Sequence, residues 1–169
     1  MDKTIKTLQD ALTYQVQGLL YAEQKIREAF QSCNHHLESE DVKHALEDYA
    51  DNAGNVSIKL DRIFNYLLIE PIARKNEVIL KMIEETQFLL TYAARPHLKD
   101  ILMVGCMKNI NAYKTVNLRN CYLMAVELEL DTVADLLQQM LEWELATGKR
   151  LAALSIHEFN KLNGPFQAK

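Results

Sequence analysis

Between Val104 and Leu128 apolar residues recur at steps of three and four: Val104, Met107, Leu118, Cys121, Ala125 and Leu128. The two slots between Met107 and Leu118 hold Asn111 and Lys114. A row with this period, kept up over such a length, is one face of a long helix packed against other helices. An amide and an ammonium in mid-row oblige the neighbouring helices to supply acceptors, because an unpaired charge in a dry core is too costly.

Three other stretches carry matching rows. From about Thr4 to Ser32 the row is Ile5, Leu8, Leu12, Val16, Leu19, Ile26 and Phe30, and the slot between Leu19 and Ile26 belongs to Glu23. A helix of about 29 residues is about 44 Å long, so Glu23 lies far from any end where water would solvate it. The second row is Leu46, Tyr49, Ala53, Val56, Leu60, Ile63 and Leu67, with Asn52 at its edge and Asp51 farther round. The last is Val133, Leu137, Met140, Glu144, Thr147, Leu151 and Leu154, again polar in the middle.

The punctuation between rows fixes the connectivity. Cys33 to Glu38, with His35 and His36, breaks the first pattern, and Ser39 with Glu40 and Asp41 offers an N-cap and first-turn acids for the second helix, which Pro71 ends. Asn76 caps a shorter helix to about Ala94 with Val78, Met82, Thr86 and Leu89 on one face, and residues 69–97 form a crossover that carries it. Pro96 suits the first turn of the next long helix. Asp131 and Thr132 cap the last helix, Asn163-Gly164-Pro165 stops it, and Phe166 to Lys169 is a short tail. Gly54 inside the second helix costs about 1 kcal/mol relative to alanine and marks close packing or a gap.

Two long hairpins joined by a helical crossover make an all-α, ferritin-like four-helix bundle, and residues 1–169 are read as one such domain. Aligning the rows places Glu23, Asn52, Asn111, Lys114, Glu144 and Thr147 in one central polar layer. With Gly 5 and Pro 3 in 169 residues, the composition is that of long helices. A net charge of −4 leaves no basic footprint for nucleic acid, and no run of about 18 apolar residues could span a membrane. Cys33, Cys106 and Cys121 form no Cys-x-x-Cys pair and read as reduced apolar fillers in a cytoplasmic protein.

Leu8, Asp10, Leu12, Ala22-Glu23, Asp100 and the run Leu141-Glu142-Trp143-Glu144-Leu145-Ala146-Thr147 resemble the YciF-like family of ferritin-related bacterial proteins, and the resemblance spans nearly the whole chain, including Met82-Ile83-Glu84-Glu85. It implies a compact helical protein, often dimeric and associated with stress responses, with a possible di-metal centre on the four long helices. Carried over by position, two of the implied carboxylates are Glu23 and Glu144. The other positions hold Asp51-Asn52-Ala53-Gly54, Asn111 with Lys114, and Gly148, which are not ligand-rich.

A di-iron or di-manganese site needs roughly four carboxylates and usually two histidines. Here any metal, iron or manganese, would have only Glu23, Asp51 and Glu144, beside a fixed cation. The favoured reading puts no metal there: Lys114 acts as countercharge to Glu23 and Glu144, and Asn52, Asn111 and Thr147 satisfy the remaining donors and acceptors. The alternatives are that Lys114 or Glu23 snorkels to the bundle edge, or that a reduced metal site persists. The Cys33, His35 and His36 loop lacks a second ligand pair, His44, His97 and His157 are dispersed surface or helix-end residues, and Trp143 is a packing residue. No catalytic residue set emerges. The expectation is a non-catalytic bundle in a stress-related structural or interaction role, with a metal-handling enzyme and a helical adaptor as competing classes. Apolar residues outside the main stripes, Leu20, Leu68, Ile69, Phe88, Leu90 and Tyr92, point to a homodimer. No other protein partner is specified.

Overall fold

The computed structural model describes residues 4–163, so the expected stop at Asn163-Gly164-Pro165 and the tail lie largely outside the described residues. Five α-helices follow in order: α1 Leu8–Cys33, α2 Glu40–Leu67, α3 Glu77–Tyr92, α4 Pro96–Glu127 and α5 Asp131–Asn163, with one 3-10 turn at Asn34–His36. There is no strand among the described residues. α1 pairs with α2 and α4 with α5, and α3 rides in the crossover against α4 and α1. This is the four-helix ferritin-like architecture with an extra short helix.

α1 begins at Leu8, not near Thr4, because Thr7 and Asp10 close a capping box: the Thr7 hydroxyl accepts the Asp10 N–H at 3.0 Å and the Asp10 carboxylate accepts the Thr7 N–H at 2.9 Å. Ile5, placed in the first row, is therefore exposed. Ser39 stands at the N-cap of α2 but its side chain does not cap, being drawn instead to Glu158. Asp131 is itself the first residue of α5, and Leu130 supplies the carbonyl that receives the Ala134 N–H. Asn76 does cap α3, accepting the Ile79 N–H, and Pro96 opens α4.

α2 and α4 end alike without glycine. Leu68 and Glu129 take left-handed φ values of 54° and 56°, and the next N–H, from Ile69 or Leu130, reaches back to Phe64 or Ala125. The crossover is stapled to α1 by Arg74, whose backbone N–H donates to the Gln17 carbonyl while its guanidinium donates to the Tyr14 carbonyl, lies over the Tyr14 ring and presses on Gly18. α3 is apolar on adjoining faces. The face it buries is Ile79, Ile83, Thr86 and Leu90, one step round from the expected one, leaving Val78 exposed and Met82 and Leu89 at the edge.

Two apolar clusters fill the bundle. One gathers Leu12 to Leu20, Val56 to Leu67, Leu118 to Ala125 and Val133 to Leu141; the other gathers Ala22 to Cys33, Val42 to Ala50 and Met103 to Ile110, with α3. The central polar residues sit where these clusters meet. Leu20 and Leu90, expected to lie outside the core, are inside it, whereas Leu68, Phe88 and Tyr92 are exposed. Among the described residues no helix is long and apolar enough to cross a membrane.

Candidate functional site

Every polar interruption of the α1, α4 and α5 rows is buried. Glu23 is 1% exposed, Lys114 and Glu144 are both 0%, and Asn111 is 6%. Their positions follow from the helical period, which aims Glu23 on α1, Asn111 and Lys114 on α4 and Glu144 on α5 at one axis. Lys114 Nζ stands 2.7 Å from Glu23 Oε1 and 2.5 Å from Glu144 Oε1. Asn111 Nδ2 donates to Glu144 Oε2 at 2.6 Å and to the Glu144 carbonyl at 2.9 Å, one turn up the same pair of helices.

Tyr49, read from sequence only as part of the apolar α2 stripe, completes the arrangement. Its hydroxyl donates to Glu144 Oε2 at 3.3 Å, and the Lys114 ammonium lies 5.0 Å from its ring centroid, within cation–π range. Trp143 meets the Tyr49 ring edge-on at 5.9 Å and so backs it from the rim. A buried tyrosine needs a partner for its hydroxyl, and that requirement, applied to a row already known to face a carboxylate, was the available signal.

The remaining expected members stand apart. Asn52 is half-buried and its Nδ2 has no hydrogen-bond partner, while the buried Thr147 hydroxyl accepts from Arg150 at 2.9 Å. Asp51 is exposed on the outer face of α2 and does not join Glu23 and Glu144. Gly54 leaves no void, because the Arg27 guanidinium covers it, 3.5 Å from where a β-carbon would lie. Gly148 has a steric role: a β-carbon there would come within 2.7 Å of Asn111 Oδ1, so its absence lets Asn111 turn toward Glu144.

The electrostatics follow from one cation between two carboxyls in a dry layer. Burial drives the Glu23 carboxyl up, Lys114 pulls it back and the charge on Glu144 adds to the rise, leaving it at about 7 against an ordinary 4.5. Burial also opposes the charge on Lys114, yet Glu144 and Glu23 outweigh it and hold the ammonium well above its ordinary 10.5. Tyr49, buried beside them, is pushed well above 10 and stays a donor. The ammonium answers one carboxylate fully, and the second is the group that takes up a proton most readily.

A metal fits this site poorly. Two carboxylates with no imidazole fall short of the donor set for two dications. Lys114 is fully buried, with no solvent to withdraw into, and two unit charges 4 Å apart repel by about 4 kcal/mol at an effective ε of 20. The histidines are elsewhere: His35 and His36 stack on each other in the 3-10 turn, His44 is exposed, His157 reaches Asp41 at 3.4 Å, and His97 is half-buried in the first turn of α4. The three cysteines are free and buried, with the Cys121 thiol pushed up to about 12 by burial.

The family described as "Domain of unknown function (DUF892)" matches residues 7–162. The chain belongs to that family. Among solved structures, this DUF892 chain is similar to the E. coli stress protein YciF, at 19% identity with a TM-score of 0.89 over 93% of this chain and 99% of that one. It is similar also to YcfI, a candidate structural protein from Rhodopseudomonas palustris, at 22% identity with a TM-score of 0.86 over 90% of this chain and 97% of that one. No curated protein matches it. These likenesses agree with the YciF-like resemblance read from the sequence and establish the ferritin-like fold.

Proposed function

We propose that this DUF892 protein is a non-catalytic ferritin-like bundle, serving a stress-related structural or interaction role, in which the Lys114 ammonium replaces a di-metal centre. The observation that carries the reading is the contact of Lys114 Nζ with both Glu23, at 2.7 Å, and Glu144, at 2.5 Å, in a layer closed to solvent. A buried ammonium held between two carboxylates neutralises the positions that would otherwise attract a cation, and it does so permanently. The stress association rests on likeness to YciF, which is called a stress protein.

A homodimer suits this reading. α3 and α4 leave between them a groove of about 1100 Å³, lined in part by Val78, Met82, Leu89 and Val116, next to the exposed Phe88 and Tyr92 rings, which stack 4.5 Å apart. Light scattering is expected to give twice the 19.5 kDa chain mass, and a constant single-chain mass would remove the dimer.

The experiment for the central claim compares metal content in the wild type and in a Glu23→Gln/Glu144→Gln variant after growth in iron- and manganese-supplemented medium. Equal content in both is the expected result. Iron or manganese present in the wild type and lost in the variant would restore the metal-handling enzyme.

A further inference from the structure

The rows that carry the central layer run on to a second polar layer at the end of the bundle where α4 begins and α5 finishes. Stepping back from Val104 reaches Asp100 and then His97, and stepping on from Leu151 and Leu154 reaches Glu158. Asp100 is 1% exposed and Glu158 is 0%. One ligand-capable atom from each of His97, Asp100 and Glu158 lies within 4.8 Å of the other two.

The existing bonds leave two atoms over. Asp100 accepts the Glu38 N–H through Oδ1 at 3.0 Å and the Ser39 N–H through Oδ2 at 3.1 Å, which keeps one lone pair on each oxygen free. Glu158 Oε1 accepts from Ser39 Oγ at 2.8 Å and from Lys161 Nζ at 2.7 Å. Glu158 Oε2 and His97 Nε2 are both buried without a hydrogen-bond partner. Each is a lone-pair donor, the imidazole in its Nδ1–H tautomer, and both belong to the same three-residue cluster.

From this geometry we infer that His97, Asp100 and Glu158 bind a divalent cation of the zinc class, with water in the remaining position. One imidazole and two carboxylates match the nitrogen and oxygen donors that zinc accepts. Zinc bonds of about 2.1 Å in a tetrahedron set ligand atoms about 3.4 Å apart, so side-chain rotation from the observed spacing suffices. The charge agrees: the carboxylates of Asp41, Asp100 and Glu158 outnumber the ammoniums near them, which are Lys161, 2.7 Å from Glu158 and 3.6 Å from Asp41, and Lys43, which is already paired with Glu40. Lys161 is 39% exposed and can swing into water when a cation arrives, a retreat closed to the wholly buried Lys114. Exposed Asp41 and His157 form a second ligand-capable group with Glu158 and mark the entry side. The bound cation would lock α4 to α5 beside the start of α2.

The test is calorimetric titration of chelator-stripped full-length protein with Zn²⁺ at pH 7.5, paired with the visible spectrum of the Co²⁺ form. The expected result is one Zn²⁺ per chain with a Kd of micromolar or below, tetrahedral Co²⁺ bands, and at least a tenfold weaker Kd in His97→Ala, a half-buried helix-end change that leaves the core intact. Glu158→Gln should abolish the bands, and Glu23→Gln should leave Kd unchanged, which separates this site from the central layer. Millimolar binding in the wild type, or an unchanged Kd in His97→Ala, would overturn the assignment.

Discussion

Two polar layers interrupt the same helical rows, and they are balanced in opposite ways. At the centre, Glu23 and Glu144 share the ammonium of Lys114, which is wholly enclosed. At the end, Asp100 is held by the backbone N–H groups of Glu38 and Ser39, while Glu158 is held by the Ser39 hydroxyl and by Lys161, whose ammonium is open to water. A buried charge is structural at the centre and exchangeable at the end. An enclosed countercharge cannot leave without stranding its partners, whereas a solvent-reaching one can be replaced by water or by another cation.

Removing the lysine of each layer should have very different costs. Lys114→Met should cost about 3 to 5 kcal/mol in denaturant unfolding at pH 8, because it strands two close buried carboxyls. The cost should shrink at pH 5 as Glu23 takes up a proton. Lys161→Met, by contrast, should cost under about 1 kcal/mol at either pH, because water can reach the vacated position. Equal costs for the two would erase the distinction.

Two other substitutions should have smaller effects. Asp100→Ala removes a charged acceptor from two N–H groups ahead of α2, and should cost about 2 to 3 kcal/mol with enhanced amide exchange at Glu38 and Ser39. Gly148→Ala should cost about 1 kcal/mol, since the added methyl displaces Asn111 from Glu144 and the gain in helix propensity recovers only part of that loss. In an Asn111→Ala background the same change should reverse sign and stabilise by about 1 kcal/mol. A single sign in both backgrounds would show that Gly148 is not there for Asn111.

Much of the fold is legible in the rows because helical period and burial are the same fact seen twice. Val104, Met107, Asn111, Lys114, Leu118, Cys121 and Ala125 are all buried, as one face of one helix must be. The start of α2 was legible, with Ser39 at its N-cap, but not the bond its side chain makes, because that hydroxyl goes to Glu158, a partner distant in sequence. The buried face of α3 differs from the expected one because that helix is apolar on adjoining faces, and only contact with α1 and α4 chooses between them. Row spacing gave the heights of Glu23, Asn111, Lys114 and Glu144 but not their hydrogen-bond partners. Thr147 turns to Arg150 and Asn52 stays at the edge, while Tyr49, hidden by its apolar ring, supplies the donor. Asp100 and Glu158 lie one helical step beyond Val104 and Leu154, at the ends of the α4 and α5 rows.

The pH dependence of stability follows from Glu23. Its folded value of about 7 lies above the ordinary 4.5, so the folded state binds this proton more tightly than the unfolded one. The resulting stabilisation is fully present below about pH 4.5, falls as pH rises, and is gone above about 7. The span is on the order of 3 kcal/mol. Glu23→Gln should flatten that slope and leave Lys114 paired with Glu144 alone.

The most direct measurement is the titration of the Glu23 side-chain carboxyl followed by its ¹³Cδ chemical shift in the full-length protein, with a chelator present. A midpoint near 7 is predicted, moving when Lys114 is replaced by methionine. A midpoint near 4.5, unchanged in Lys114→Met, would mean that Glu23 is solvated and that the ammonium is not its countercharge.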